Sequence, residues 1–268
     1  MNIQFRLETP ADYRAVEELT REAFWAFWEP NQNICNEHLL VHRLRSVPSF
    51  VPELDFVAEL DGMIVGHIIY TKSKIIDDAG HEHEMLTFGP ISVLPEYQSL
   101  GIGQALMRHS FEEAHRLGFR AVLIFGHPDY YPRAGFRRAA EFGITTADGG
   151  SFDAFMVYPL FVSALDGVNG RYYIDPVYDQ LTEEATLEFD RQFPYKEPFV
   201  TTSFNILLDR LEPDARSAME SIGCQSLEMM TSISEREISS LLGVNVAAVE
   251  TIRSILHENG IRWGESKP

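Results

Sequence analysis

The chain has 268 residues, 45% of them hydrophobic and 12% aromatic, which is enough for a large core and argues against general disorder. It carries 40 acidic residues against 22 Lys and Arg, and this formal net charge of −18 disfavours nucleic-acid binding because it repels phosphate backbones. Only Cys35 and Cys224 are present, and the N-terminus has no apolar signal core, so we expect a cytoplasmic protein with no disulfides and no membrane span.

The first elements follow from local periodicity. Residues 3–7, IQFRL, alternate apolar and polar side chains as a half-buried strand does. Val16, Leu19 and Ala23 then recur at three- and four-residue steps, which predicts an amphipathic helix.

A hairpin and an interrupted strand come next. Residues 56–60 (FVAEL) and 63–70 (MIVGHIIY) read as strands, and the Asp61-Gly62 dipeptide between them tolerates the positive φ angles of a two-residue turn. LTFGPISV, residues 86–93, is a third strand. Because proline cannot donate to a ladder, Gly89-Pro90 predicts a bulge or splay inside it.

A glycine loop and a helix follow that strand. Residues 95–106 read PEYQSLGIGQAL, and Met107, Phe111, Ala114 and Leu117 then mark one helix face. AVLIF and DAFMVYPL read as further strands. Strands joined through a crossover helix indicate an α/β sheet domain that ends near residue 165.

The rest of the chain divides into a connection and a helical tail. Residues 166–200 show no clear period and are interpreted as a connecting segment that packs on the first domain. Residues 201–268 look wholly helical, with capping-box spacing at Ser234 and Glu237 and an N-cap at Asn245.

Glycines beside a helix start let backbone N–H groups converge on an anion, and three classes of phosphate-binding loop use this arrangement. A Walker loop fails here, because Gly103 is followed by Gln104 and Ala105. A dinucleotide fingerprint also fails, because Leu106 stands where its third glycine belongs.

The wider text, VLPEYQSLGIGQAL from Val93, resembles the acyl-CoA pyrophosphate loop of the GNAT N-acetyltransferase superfamily, Gln/Arg-x-x-Gly-x-Gly/Ala. A second marker follows, because YPRAGF from Tyr131 resembles the family's Tyr-x-x-x-Gly-Phe. The resemblance covers about residues 3–165 and implies an α/β (α+β) fold: a mixed, splayed central sheet flanked by helices, with pantetheine inserted at the splay. A small all-α C-terminal domain would follow.

This resemblance implies a catalytic domain at residues 1–165 that binds acetyl-CoA (coenzyme A). The cofactor-binding residues would be Ile91, Ser92, Val93, Gln98, Ser99, Leu100, Gly101, Ile102, Gly103 and Gln104. A side chain at Gly101 or Gly103 would block the approach of the backbone to the pyrophosphate. Four arginines near these motifs could meet the 3′-phosphate or form ordinary surface ion pairs: Arg108, Arg133, Arg137 and Arg138.

The implied reaction is N-acetyl transfer, in which a primary amine attacks the thioester directly in a ternary complex. Tyr131 matches the family's tyrosine acid, which would protonate the thiolate, and a backbone N–H near Val93 would hold the oxyanion. The base is His127 or Glu84, and the residues do not decide between them. We expect no metal, since His81 and His83 have no partner cluster in the sequence.

From Leu211 the tail resembles the C-terminal domain of the RNA polymerase α subunit, a compact helix-hairpin-helix domain that binds DNA and activators. Arg216 falls where that family places a minor-groove arginine. Met219 and the Asn245-Val-Ala-Ala turn depart from its phosphate-contacting pattern. Residues 200–268 carry ten acidic and six basic residues, so we expect a protein-docking or homodimer module rather than a DNA binder.

Two functions from different classes remain open on the sequence. The first is an acetyl-CoA-dependent N-acetyltransferase, and Tyr131 favours it. The second is a non-catalytic acyl-CoA-sensing protein that acts through the helical tail. The acceptor, a small-molecule or peptide amine, has no motif, although the acidic composition mildly favours a cationic one.

Overall fold

The computed structural model describes the chain apart from short gaps, in two compact units, one ending at Tyr195 and the other beginning at Lys196. The described residues are 3–25, 35–128, 130–196, 204, 207–208, 210–224, 226–227, 229–230, 233–261 and 263.

The first unit is built on one mixed sheet. Its strands among the described residues are β1 (Ile3–Leu7), β2 (Phe56–Leu60), β3 (Met63–Ile76), β4 (Glu82–Val93), β5 (Ala121–Phe125), β6 (Arg137–Arg138), β7 (Ile144–Thr146), β8 (Phe155–Pro159) and β9 (Gly170–Tyr173). The order is β1-β2-β3-β4-β5-β8-β6, and β9 pairs with both β3 and β7. The α-helices described in this unit are α1 (Tyr13–Phe24), α2 (Glu37–Leu44), α3 (Ile102–Arg116) and α4 (Glu183–Asp190).

The hairpin between β2 and β3 forms as predicted. Leu60 pairs with Met63, and the two turn residues take left-handed φ angles of 50° at Asp61 and 82° at Gly62. These angles match the strand twist in a two-residue turn, which is why this dipeptide suits it.

The interruption in β4 is a bulge. Ile68 of β3 pairs with Ile91, but Tyr70 pairs with Phe88, so one residue of β3 stands opposite Gly89 and Pro90. The predicted irregularity is therefore confirmed. Gly89 also has a packing reason, because a Cβ there would lie 2.5 Å from Leu44 Cδ1 on α2.

The sheet splays immediately beyond this region. β4 and β5 run parallel but share a single described ladder position, Leu86 with Val122. β5 continues antiparallel to β8 over its whole length, whereas β4 continues along β3. The two strands therefore diverge toward their carboxyl ends, and the predicted mixed, splayed sheet flanked by helices is confirmed.

The core forms where the predicted apolar faces meet the sheet. Val16, Leu19 and Ala23 of α1 are buried, as are Met107, Phe111 and Ala114 of α3. The prediction for Leu117 is wrong: it is 48% exposed, because α3 ends at Arg116 and Leu117 lies just beyond the packed face.

Residues 166–195, for which no period was found, hold β9 and α4 and belong to the first compact unit. Thr182 caps α4 by accepting a hydrogen bond from the Ala185 N–H at 3.2 Å, and Phe189 is buried. The helix has only eight residues, too few to show a repeated stripe.

A network of buried charges underlies α1 and α2. Arg45 pairs with Glu8 at 2.7 Å and with Glu17 at 2.9 Å, and His67 lies 2.8 Å from Asp55. These five side chains are at most 8% exposed. Burial raises the pKa of Glu8 to about 7 and of Asp55 to about 6, and lowers the pKa of His67 to about 4.

The second unit is helical in the residues that are described. Its helices are α5 (Pro213–Ser221), α6 (Glu235–Ser239) and α7 (Val246–Glu258). The predicted capping box of Ser234 and Glu237 is present, and Asn245 Oδ1 accepts from the Ala248 N–H at 2.9 Å. The predicted likeness to the RNA polymerase domain, and a docking role, stay predictions.

Two side chains of the second unit lie outside regular helix packing. Leu242 is 97% exposed, because it lies in the turn between α6 and α7 rather than on a helix. Arg216 donates from Nε to the Leu208 carbonyl at 3.0 Å, a contact inside this unit.

Candidate functional site

A cavity of about 860 Å³ opens where β4 and β5 diverge. Its wall is formed by β4 residues 87–91 and Val93, the glycine loop, the end of β5 and the residues after it, parts of α1 and α2, and Ile174, Tyr178 and Asp179. The Gly89-Pro90 bulge and the splay therefore produce a space rather than a continuous sheet.

The glycine loop presents backbone N–H groups to this cavity. Ser99 and Gly101 have φ angles of 61° and 83°, and Gly101 is the N-cap of α3. The first backbone hydrogen bond of α3 runs from the Ala105 N–H to the Gly101 carbonyl at 3.0 Å. The N–H groups of residues 102–104 thus have no acceptor within the helix and carry its positive dipole end.

Gln98 holds this loop to the strand, because its Nε2 donates to the Val93 carbonyl at 3.1 Å. Gly101 is required by its left-handed φ angle. At Gly103, an added Cβ would contact Tyr130, Val93 and Ile91 at 3.7–3.8 Å, which is ordinary packing. The protein itself therefore has room for this Cβ, and the atom would obstruct only a ligand that approaches the loop.

Tyr131 lies in a tightly packed position on the same cavity. A Cβ on Gly126 would lie 2.4 Å from the Tyr131 ring, so this position must be glycine for the ring to sit there. The ring also packs edge-to-face on Phe136, with centroids 5.3 Å apart. Burial raises the pKa of the Tyr131 phenol above its ordinary value, and its hydroxyl has no hydrogen-bond partner among the described residues.

Eight of the ten predicted cofactor-binding residues line the cavity: Ile91, Val93, Gln98, Ser99, Gly101, Ile102, Gly103 and Gln104. The other two do not. The Ser92 side chain is buried and donates to Thr20 Oγ1 on α1 at 3.0 Å, and Leu100 is 52% exposed.

The two predicted bases are placed differently. His127 lines the cavity with Tyr131, whose N–H donates to the His127 carbonyl at 3.3 Å. Glu84 is not among the lining residues; its side chain is 57% exposed and its carboxylate lies 3.0 Å from Lys72 Nζ. The structure therefore brings His127, and not Glu84, to the side of Tyr131.

The four arginines near the motifs lie outside the cavity lining. Arg137 pairs with Glu141 at 2.6 Å, and Arg138 pairs with Asp153 at 3.1 Å. Arg108 and Arg133 have no ion pair among the described residues.

Several lining residues were not found from the sequence. They are Phe24 of α1, Glu37 and Leu40 of α2, and Tyr178 and Asp179 from the turn Pro176–Asp179. Tyr178 shares a hydrogen bond with Thr71 at 3.1 Å, which fixes its hydroxyl. No local motif marks these residues, because the fold gathers them from distant stretches.

Two further groups have side chains of the reactive or metal-binding type. Both cysteines are buried thiols, and the Cys35 Sγ donates a hydrogen bond to Glu37 at 3.0 Å. Burial raises the pKa of the Cys35 thiol, and it raises the pKa of the Cys224 thiol to about 11. Glu8, Asp55 and His67 place oxygen and nitrogen atoms within 4.8 Å of one another. Arg45 already supplies positive charge there, with two hydrogen bonds to Glu8.

Known proteins match this sequence and this fold. Residues 53–138 match the family described as Acetyltransferase (GNAT) domain. The uncharacterized N-acetyltransferase YjhQ of Escherichia coli is 31% identical over 136 residues, which is 51% of this chain and 70% of YjhQ.

Two solved structures have the same fold. The E. coli GNAT family N-acetyltransferase YhbS, in complex with CoA, has a TM-score of 0.59 and 24% identity over 68% of this chain and 94% of its own. A GNAT family acetyltransferase from Brucella melitensis, in complex with acetyl-CoA, has a TM-score of 0.52 and 27% identity over 66% of this chain and 99% of its own.

The chain belongs to the GNAT acetyltransferase family. The family consists of acyltransferases, so the predicted enzyme class is confirmed. None of the helices in the described part of the chain combines the length and apolar character needed to cross a membrane.

Proposed function

We propose that this protein transfers the acetyl group of acetyl-CoA to a primary amine by direct attack in a ternary complex. The observation that supports this most strongly is the cavity at the splay, which is lined by both the glycine loop and Tyr131. The low cysteine count favours the reducing cytoplasm as its compartment.

The donor would bind along β4. The N–H groups at the start of α3 would hold the pyrophosphate, because they have no acceptor within the helix and lie at its positive end. Ile91 and Val93 would offer backbone groups to the pantetheine where β5 has diverged from β4. The lining residues of the loop carry no charged side chain, so backbone dipoles would supply this binding.

Tyr131 would act as the general acid. The amine nitrogen attacks the thioester carbon, the carbon–sulfur bond breaks, and the Tyr131 hydroxyl gives its proton to the departing thiolate. A buried phenol with a raised pKa stays protonated through neutral pH, as an acid must. The oxyanion would be held by a backbone N–H near Val93.

The amine must lose a proton before or during attack, because an alkylamine has a pKa of about 10.4. We assign His127 as the base, because it lines the same cavity and its backbone carbonyl accepts a hydrogen bond from the Tyr131 N–H. Glu84 could act only through intervening water, because it lies outside the lining.

The test is thiol release from acetyl-CoA with a panel of amines. Tyr131→Phe is expected to lower kcat by about 10²-fold or more on the best acceptor, with the KM for acetyl-CoA little changed. Tyr195→Phe is the matched control, because Tyr195 is 81% exposed and loses the same hydroxyl. Equal rates for Tyr131→Phe and the wild type would remove Tyr131 from its role. A chain that binds acetyl-CoA but releases no thiol with any amine would instead be a sensor of the donor.

A further inference from the structure

The cavity has two ends, and β4 gives their order. Gly103 of the loop lies against Ile91 and Val93, whereas Gly89 lies against Leu44 of α2 and is within 3.8 Å of the Tyr178 hydroxyl, both measured from the Cβ that glycine lacks. Strands rise about 3.3 Å per residue, and Gly89 is two residues from Ile91 and four from Val93, so the loop end and the Tyr178 end are separated by about 7–13 Å along β4. The end away from the glycine loop is named here the far end.

Charge in the lining is confined to acids. Among the described residues that line the cavity, Glu37 and Asp179 are the charged side chains at neutral pH, and none is Lys or Arg. We assign both to the far end, because α2, which begins at Glu37, packs on β4 and on the turn that ends at Asp179, and its last residue Leu44 lies against Gly89. A hydrogen bond from Arg43 Nη1 to the Gln180 carbonyl, 2.8 Å long, holds these two segments together.

The Glu37 carboxylate is only partly used by the protein. Its Oε2 accepts from Cys35 Sγ at 3.0 Å and from the Asn36 N–H at 3.1 Å. Neither donor is a cation, and Oε1 has no partner among the described residues. Asp179 has none either, although it is exposed to water. By contrast, the buried acids Glu8 and Glu17 each pair with Arg45.

The remaining wall of the far end is apolar and aromatic. Phe24, Leu40 and Ile174 line it, and Tyr178 is fixed by its hydrogen bond with Thr71. Such a wall suits methylene groups, and a half-buried carboxylate without a counter-ion suits an ammonium group. An anionic group would meet two carboxylates and no compensating cation.

We propose that the acceptor is an aliphatic primary amine that carries a second positive charge and no anionic group, such as an alkyl diamine. Glu37 binds the second ammonium group, Asp179 attracts it at the mouth, and the apolar wall covers the methylene chain. The reacting nitrogen is thereby directed to the region of Tyr131. This inference rests on the amine transfer proposed above and names its substrate class.

The first experiment compares three probes of equal chain length: 1,4-diaminobutane, butylamine and 4-aminobutanoate. Thiol release should give a kcat/KM for the diamine that exceeds that for butylamine by about tenfold or more, with 4-aminobutanoate the poorest. Glu37→Gln keeps an oxygen for the Asn36 N–H but removes the charge. It should lower the diamine value about tenfold and change the butylamine value less than about twofold.

Glu112→Gln is the matched control, because Glu112 is exposed on α3 and makes the same change in net charge. Asp179→Asn supplies a second variant with a smaller expected effect, since Asp179 is exposed. Equal use of the three probes, or an unchanged preference in both Glu37→Gln and Asp179→Asn, would overturn the proposal while amine transfer itself stands.

Direct binding separates the two proposals. Calorimetry should detect 1,4-diaminobutane binding to the CoA-saturated protein, and binding should be lost in Glu37→Gln and kept in Glu112→Gln. If this pattern appears without thiol release from any amine, the diamine site stands and the transfer reaction falls. If no binding is detected and the diamine is no better a substrate than butylamine, the diamine site is refuted.

Discussion

At Arg45, one guanidinium neutralises two carboxylates that are almost entirely shielded from water. Its side chain is 4% exposed, and those of Glu8 and Glu17 are 0% and 8% exposed. The ring of Tyr13 lies 4.1 Å from the guanidinium carbon, so the cation is enclosed on that side as well. Removing the cation would leave charge buried without compensation, which is costlier than the pair itself is stabilising.

Arg45→Met is therefore expected to lower the free energy of unfolding by about 3–5 kcal/mol. The measurement is urea denaturation followed by circular dichroism. Arg116→Met provides the comparison, because Arg116 is 73% exposed beside Glu113 and should cost under about 1 kcal/mol. Similar losses in the two variants would show that the buried network does not depend on this cation.

The same network should make stability depend on pH. The pKa of Glu8 is raised to about 7 in the folded chain, so folding favours its protonated form. The contribution of this protonation to the free energy of unfolding is fully present below the unfolded pKa and is lost as pH rises through 7. His67 opposes this effect up to about pH 7, because its pKa is lowered to about 4 in the folded chain, whereas the unfolded chain binds the same proton with the ordinary pKa of about 6.5.

Between pH 6 and 8 the wild type should lose about 1 kcal/mol of stability relative to Glu8→Gln, at 1.36 kcal/mol per pKa unit. Denaturation curves for both proteins at pH 6, 7 and 8 measure this difference. A difference that stays constant or grows with the opposite sign would mean that Glu8 is ionised throughout this range.

At the scale of elements, the glycine loop shows how one φ angle supports binding. Gly101 caps α3 at a φ of 83°, and nothing lies within 4 Å of the Cβ it lacks. Gly118, beyond the other end of α3, has a φ of 91° and equally open space. The two glycines thus carry the same backbone strain when substituted, but only Gly101 lies on the cavity.

Gly101→Ala and Gly118→Ala should each destabilise the chain by about 1 kcal/mol, because both force alanine into a left-handed conformation. Only Gly101→Ala is expected to weaken CoA binding, by about tenfold, since it moves the N–H groups that would hold the pyrophosphate. Calorimetric titration with CoA measures the affinity. Equal affinities for the two variants would show that the glycine loop does not bind the pyrophosphate.

Elements that depend on adjacent residues were predictable, and those assembled by tertiary packing were not. The Asp61-Gly62 hairpin, the Gly89-Pro90 bulge and the cap at Asn245 each follow from residues next to one another. β9 and α4 are short and carry too few turns of periodicity to be recognised. Glu37 and Asp179 reach one cavity only because α2 packs on the turn Pro176–Asp179, and no local pattern encodes that contact.

At the scale of the whole molecule, the chain forms two compact units with separate cores. The second unit has its own buried cluster, which includes Leu207, Met219, Ile252 and Ile255. The described residues that line the cavity all belong to the first unit. A ligand of that cavity therefore stabilises one of the two cores directly.

Scanning calorimetry of the full chain should resolve two unfolding transitions, because each unit holds its own core. Acetyl-CoA at 100 times its Kd should add about 2.7 kcal/mol to the free energy of unfolding of the first unit and raise its transition temperature by several degrees. The transition temperature of the other unit should be nearly unchanged. The double variant Gly101→Ala with Tyr131→Phe should show a smaller shift. A single transition that moves as one would show that the two units unfold cooperatively.

The residues of the cavity wall come partly from inside and partly from outside the segment that matches the family. Its loop-side residues, from Thr87 to Tyr131, fall inside the matched segment 53–138, whereas Phe24, Glu37, Leu40 and residues 174–179 lie on the flanks of that segment. If the proposed reaction is correct, substitutions in these flanks should change which amine is accepted while leaving the binding of the acetyl donor intact. We therefore expect likeness in the glycine loop alone not to identify the molecule that is modified.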